Sequence, residues 1–224
     1  MDIHKPKAAH SWREFAVEIG TIICGILIAL GLEQVVETVR RSSEVEEARE
    51  ALREEIRVNA LIVSFGREEL KCLKPQVDAY RAWAAGGPKP PGFRTVLARY
   101  VFNTWDTVKS SAVPHMPLHE RLAISGFYDE LRNAETIVGE QRAAALVLFG
   151  ADERKALRPE DAGRVLDAVG IEHRVGGFKY GEIQGLLDAA AKLGVRAPAL
   201  SSEDRALLDW QCGAAGSKAK AGGA

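Results

Sequence analysis

The chain has 224 residues, 46% of them hydrophobic and 27% charged, with a formal net charge of -1. That length accommodates one sizeable core or two small ones. The near-neutral balance shows neither a basic stripe nor interleaved aromatics, which excludes an electrostatic case for nucleic acid as a partner.

The first element is apolar. Ile19 to Leu32 reads IGTIICGILIALGL, fourteen residues without a charge, preceded by Trp12-Arg13 and followed by Glu33. As a helix it rises about 21 Å, short of a hydrocarbon core of roughly 30 Å, so a membrane span must borrow from its flanks. Residues 15–36 supply the length and place Glu18, Glu33 and Gln34 at the two interfaces, where a charge costs far less than at the bilayer centre. Trp12 beside Arg13 suits the interfacial aromatic belt, behind a basic tail over residues 1–14. Two other readings remain open: a core helix of a soluble domain, and a cleavable signal with Ala29-Leu30-Gly31 as its small-x-small site. The helical pattern continues through Val35, Val36 and Val39 without a break, which favours an anchor over a cleavage site.

Within the span, Thr21, Gly25 and Ala29 recur at every fourth residue. This small-residue stripe allows close approach of a second helix in lipid, either another copy of the chain or a different membrane protein. The flanking basic residues are nearly balanced, with Lys5, Lys7 and Arg13 before the span and Arg40, Arg41 and Arg49 after it, so the positive-inside rule gives only a slight preference for export of the soluble part.

Residues 37–85 read as a long amphipathic helix followed by a short second one. Val45, Leu52, Ile56, Val63 and Leu70 advance at helical spacing and mark an interaction stripe that docks on later helices or forms a short oligomeric seam; Asn59 and Gly66 interrupt it, against a long strict coiled coil. The opposite side carries Glu46 with Arg49, Glu50 with Arg53 and Glu54 with Arg57 at i, i+3 spacing. Lys74-Pro75 predicts a break, with a new helix from Gln76 to Ala84. Residues 86–92, GGPKPPG, form a loop.

Residues 93–212 suit a helical domain, with helices over 93–108, 117–132, 134–149, 159–169 and 180–193, and a last one capped by Ser201-Ser202-Glu203-Asp204. No run of alternating β-branched residues offers a sheet. Residues 213–224 read as a small-residue disordered tail. The fold class is therefore all-α, an N-terminal transmembrane helix continuing into a long amphipathic helix and then a soluble multi-helix domain.

The opening segment, with Trp12-Arg13-Glu14-Phe15, Glu18-Ile19-Gly20 and Gly25-Ile26-Leu27-Ile28-Ala29-Leu30, followed by Glu33-Gln34 and the Arg/Glu helix, resembles the start of a group of single-span bacterial membrane proteins of uncharacterised activity. The resemblance covers roughly the first 60 residues. Thr104-Trp105-Asp106 and the stretch 117–132 look broadly similar to the soluble part of such proteins. It implies a bacterial inner-membrane protein and supplies no activity, cofactor or catalytic residue.

Candidate chemistry is sparse. His115 and His119 with Glu120 suggest a metal at i, i+4 spacing, yet Pro114 and Pro117 interrupt the segment and no third ligand is evident, so no metal is assigned. Gly176-Gly177-Phe178-Lys179-Tyr180-Gly181 lacks the order of a phosphate loop and reads as a turn between two helices, leaving His173 in a loop. Tyr100, Phe102, Trp105, Phe127 and Tyr128 sit at spacings that cluster around Leu118, Leu122 and Leu131, as a core more readily than as a ligand pocket. Cys24 lies in the apolar segment; Cys72 and Cys212 form one disulfide in an oxidising compartment or stay free thiols in a reducing one. No base accompanies Cys72, and Ser125-Gly126 lacks the nucleophile-elbow pattern, so no catalytic set is named.

These readings make the chain a single-pass interaction or scaffold module of the bacterial envelope. It would be embedded in the lipid bilayer with its soluble domain periplasmic rather than cytoplasmic, would have no cofactor, and would use a second copy or a membrane protein as partner. The competing expectation is a small-ligand or metal-binding sensor or enzyme using the domain after residue 91.

Overall fold

The computed structural model describes residues 12–97 and 99–216, with the side chains of residues 178–180 and 214–216 left aside. The basic residues Lys5 and Lys7 and the tail beyond Gly216 lie outside the described residues. Among the described residues five α-helices run in chain order: α1 Trp12–Ala84, α2 Asn103–Val108, α3 Leu118–Asp152, α4 Pro159–Lys192 and α5 Ser202–Gly216, with a 3-10 turn at Val113–His115. No strand occurs among the described residues. The chain divides into two units, residues 1–47 and residues 48–224.

The first unit is the apolar part of α1 and its charged continuation. Ile22, Ile23, Ile26, Leu27 and Ile28 are all exposed. Among the described residues this is the one helix long and apolar enough to cross a membrane, and none of its apolar window is buried within the chain. A core helix of a soluble domain would be mostly buried, and this window is not buried by the described residues. Beyond the window, Arg40 pairs with Glu37 and Glu44, and Arg41 with Glu37, at helical spacings on an exposed surface.

The second unit has a proper core. Leu73, Val77, Tyr80 and Trp83 of α1 meet Phe93 of the segment before α2, Ala144, Ala145, Leu148 and Ala151 of α3, and Val165, Ala168 and Val169 of α4. α3 and α4 also pack against each other. Their spacing is helical throughout: Asp161, Val165, Ala168, Val169, Glu172, Val175, Ile183, Leu186 and Ala190 are the buried positions among the described side chains of α4 and form one stripe.

Several boundaries differ from the sequence expectation, each for a physical reason. Pro75 sits inside α1, which continues to Ala84. A proline forfeits one helical hydrogen bond, but the turns on either side are held by buried Leu73, Gln76, Val77 and Tyr80. Residues 93–97 and 99–102 are not helical. The helices expected at 117–132 and 134–149 are the single α3, and those at 159–169 and 180–193 the single α4. Gly176 and Gly177 consequently lie in the interior of α4 and make no turn, and His173 is helical. The apolar stripe continuing on both sides of the glycines holds the helix through them, since tertiary packing outweighs propensity losses of about 1 kcal/mol per glycine.

The ends follow local chemistry. At the close of α1, Gly86 adopts φ +91°, the Gly87 N–H donates to Ala82 O at 2.9 Å and the Gly86 N–H to Trp83 O at 3.0 Å. This is a Schellman ending. A side chain at Gly87 would bring a Cβ to 2.8 Å from Ala82 O. α4 ends in the same way at Gly194, φ +76°, with the Val195 N–H on Ala190 O at 2.9 Å. α5 opens as anticipated: the Ser201 hydroxyl accepts from the Asp204 N–H at 3.1 Å while the Asp204 carboxylate accepts the Ser201 N–H at 2.8 Å, a reciprocal cap.

Candidate functional site

A non-helical segment inside a helical domain has no helix or sheet to satisfy its backbone, and each buried amide left without a partner is costly. Here α1 supplies the partners from its buried face. The Gln76 side chain brackets Arg94, accepting its N–H at 2.8 Å and donating to its carbonyl at 3.0 Å. Glu69 accepts the Val96 N–H at 2.9 Å and the Thr95 hydroxyl at 2.6 Å. Asn59 pairs with both backbone groups of Val101 at 2.8 Å. Glu55 then accepts the N–H groups of Thr104 and Trp105 at 2.6 and 3.1 Å. Those two amides are free donors of the first turn of α2, so the cap comes from a different helix. Asp152 of α3 closes the other end, accepting the Phe93 N–H at 2.6 Å and a hydrogen bond from the Tyr80 hydroxyl; burial pushes its carboxyl upward, opposed by the Phe93 N–H.

Glu55 also joins the aromatic cluster. Tyr128 donates its hydroxyl to Glu55 at 2.6 Å, stacks on Trp105 at 4.6 Å and 9°, and meets Phe127 edge to face at 5.4 Å. Burial, then the Glu55 carboxylate, raise the Tyr128 hydroxyl well above its ordinary range. Tyr100 is pushed up to about 12 by burial and by the carboxylates of Glu135, Glu182 and Glu69. The cluster is therefore core. Leu131 belongs to it by burial, whereas Leu118 and Leu122 are exposed.

α5 is fastened to the same face of α1. Cys72 and Cys212 form a disulfide with Cα atoms 5.1 Å apart, across a separation of 140 residues. The Gln211 amide donates to Glu69 at 2.7 Å, and the Arg94 guanidinium lies over the Trp210 ring at 5.1 Å. Cys24 is a free, exposed thiol.

The expected interaction stripe is largely occupied by the chain itself. Leu52, Ile56 and Val63 are each 1% exposed, Val45 and Leu70 half-buried. Buried to this degree, Leu52, Ile56 and Val63 offer no open seam to a second copy. Thr21, Gly25 and Ala29, by contrast, are exposed; a Cβ at Gly25 would meet nothing within 4 Å. The Thr21 hydroxyl donates back to Val17 O at 2.8 Å, satisfying its polar group within the helix.

Of the anticipated ion pairs along α1, Glu54–Arg57 forms at 2.5 Å. Arg49 reaches across to Glu120 of α3 with two bonds of 2.7 and 3.0 Å. That guanidinium holds the Glu120 carboxyl below its usual range. His115 and His119 are both exposed, and no group of three metal-donor side chains gathers among the described residues.

A cavity of about 300 Å³ lies between α1 and α4, lined by Leu70, Leu73, Lys74, Val77, Glu172, His173, Gly176 and Gly177. Its floor is apolar, Glu172 is 1% exposed, and Lys74 is paired with Asp78 at 2.7 Å. Sequence reasoning marked Leu70, His173 and the two glycines separately; only the continuity of α4 through Gly177 brings them to one place. No family model, curated protein or solved structure matches the chain.

Proposed function

We propose that this chain is a single-pass membrane-anchored helical module whose second unit resides in an oxidising compartment and works by holding a partner at the membrane. The observation that carries the reading is the apolar window of α1, which is wholly exposed within the chain. Fourteen uncharged residues facing water would be strongly unfavourable at about 25 cal/mol per Å² of apolar surface. A bilayer is the surrounding that removes this cost, with Trp12 and the carboxylates of Glu18 and Glu33 at the interfaces.

The Cys72–Cys212 disulfide supports the side. Such bonds persist in secreted and periplasmic proteins and are rare in reducing cytosol. With the resemblance of the opening segment to single-span bacterial proteins, this favours the inner membrane with the second unit in the periplasm. The Thr21, Gly25 and Ala29 face supports a helix partner in lipid, a second copy or another membrane protein.

The test is intact-mass analysis of the membrane fraction after alkaline carbonate extraction. The reading expects the full chain, with residues 12–36 present, in the pellet. A shortened, extractable chain beginning near residue 32 means that the segment is a removed signal and ends the anchor reading.

A further inference from the structure

We propose that the Cys72–Cys212 disulfide is a redox latch, which a dithiol reductant opens to release α5 from α1 while the rest of the second unit stays folded. α5 is barely embedded. Among its described side chains only Leu208 and Gln211 are buried, whereas Leu207 and Trp210 are 40% and 51% exposed. One buried leucine removes too little apolar surface from water to order a 15-residue helix.

The other non-covalent holds on α5 are largely polar. The Gln211 amide donates to Glu69 at 2.7 Å, and its backbone carbonyl accepts from the Gln76 amide at a long 3.5 Å. Arg94 donates to the Trp210 carbonyl at 2.8 Å on an exposed surface. Such bonds replace bonds to water at a small net gain. The Gln211 side-chain oxygen is buried with no partner among the described residues, a cost that docking carries. The covalent bond is therefore what keeps α5 in place. The elements beneath do not depend on it: Glu69 also holds the Thr95 hydroxyl and the Val96 N–H, Gln76 holds the Arg94 backbone, and the core cluster of α1, α3 and α4 contains no residue of α5.

The bond is also within reach. Cys72 and Cys212 are both half-buried, neither of them enclosed, and accessible disulfides are the ones that exchange. A thiolate of the dithiol attacks one sulfur, forms a mixed disulfide with that cysteine and expels the other as a thiolate. The second thiol of the reductant then displaces the remaining cysteine. The dithiol ends as a disulfide, and its two electrons and two protons end on Cys72 and Cys212. Release uncovers the Glu69 and Gln76 face of α1 and frees the Arg94 guanidinium from Trp210, so the thiol balance of the surroundings sets whether that face is open. The inference rests on the second unit alone and is independent of the anchor.

The experiment is hydrogen–deuterium exchange of the detergent-solubilised full chain carrying Cys24→Ala, before and after dithiothreitol in native buffer, with the freed thiols counted by alkylation and mass. The proposal expects both cysteines to be reduced without denaturant and peptides of residues 202–213 to lose their protection. Peptides of residues 52–84, 118–152 and 159–177 should stay protected at the same exchange times. Replacing the reductant by an oxidised dithiol should restore protection to α5, and Cys212→Ser should show the released pattern with no reductant. Protection of α5 that survives full reduction overturns the proposal. So does reduction that proceeds only in denaturant, or a loss of protection throughout the second unit, which would make the bond a staple of the whole fold. The comparison before and after reduction leaves every residue of the second unit in place, so it decides the matter even where Cys212→Ser fails to fold.

Discussion

Along α1 one helix carries two kinds of apolar residue. Ile22, Leu27 and Ile28 are 55%, 61% and 64% exposed, while Leu52, Ile56 and Val63 are each 1% exposed. The sequences are comparably apolar at these positions; the pattern around them differs. Up to Leu32 apolar residues surround the helix, and beyond Ala48 they keep to one face opposite Arg53, Glu54 and Arg57. An all-round apolar helix needs a surrounding that is apolar on every side, whereas a striped one needs only a neighbour. The stripe beyond Ala48 is buried within the second unit, whereas the apolar window of the first is exposed.

The largest way to break the comparison is to charge the bare segment. Ile23→Arg with Leu27→Arg should cost about 5–7 kcal/mol of insertion, at roughly 2.5–3.5 kcal/mol per central arginine. The chain should then leave the carbonate pellet, while the thermal unfolding of the second unit stays unchanged. Retention in the pellet would argue that lipid is not what covers this surface. The reverse experiment, Ile56→Ala, should lower the stability of the second unit by about 2–5 kcal/mol in denaturant titrations and leave membrane partition untouched.

Reduction of Cys72–Cys212 sharpens the same contrast, because the bond closes a long loop of the second unit alone. Its loss should cost about 2–5 kcal/mol, read as a lower midpoint in urea with reductant than without. An unchanged midpoint would separate the disulfide from stability.

Next in size is the Arg49–Glu120 pair. Glu120→Gln should cost about 1–2 kcal/mol at neutral pH. The folded Glu120 carboxyl lies below its ordinary 4.5, so the unfolded state takes up its proton first and the stabilisation is present above that value. It is lost as pH falls through the depressed folded value, and the unfolding curves of variant and parent should converge there. A gap that persists in acid would assign the effect to packing. The smallest change concerns the bare face: Gly25→Leu with Ala29→Leu should weaken crosslinked assemblies in membranes without altering insertion or the unfolding of the second unit, and unchanged crosslinking would remove that face from the account.

Much of this was legible from side-chain periodicity. The all-helical class, the apolar segment, the stripe from Leu52 to Val63, the 86–92 loop and the Ser201 cap all rest on local signals, and local structure obeys them. Pro75, Gly176 and Gly177 were misleading because the rules that make them helix breakers are worth only a few kcal/mol, and the core around Tyr80 and the α4 stripe exceeds that. The non-helical course of 93–97 and 99–102 was illegible for a different reason. Its backbone partners include Asn59, Glu69 and Gln76 of α1 and Asp152 of α3, up to 59 residues away, and only Asn59 announced itself by interrupting an apolar stripe. The cavity was hidden likewise, since it exists only where residues 70–77 meet residues 172–177.

The anchoring account is tested most directly by the position of the two paired cysteines. Cells producing the chain with Cys24→Ala, their outer membrane permeabilised, are treated with a membrane-impermeant reductant and then a membrane-impermeant thiol reagent. The account predicts labelling of Cys72 and Cys212 in these intact cells, dependent on the reductant. Labelling that appears only after lysis, and without any reductant, would place free thiols in the cytoplasm and contradict it.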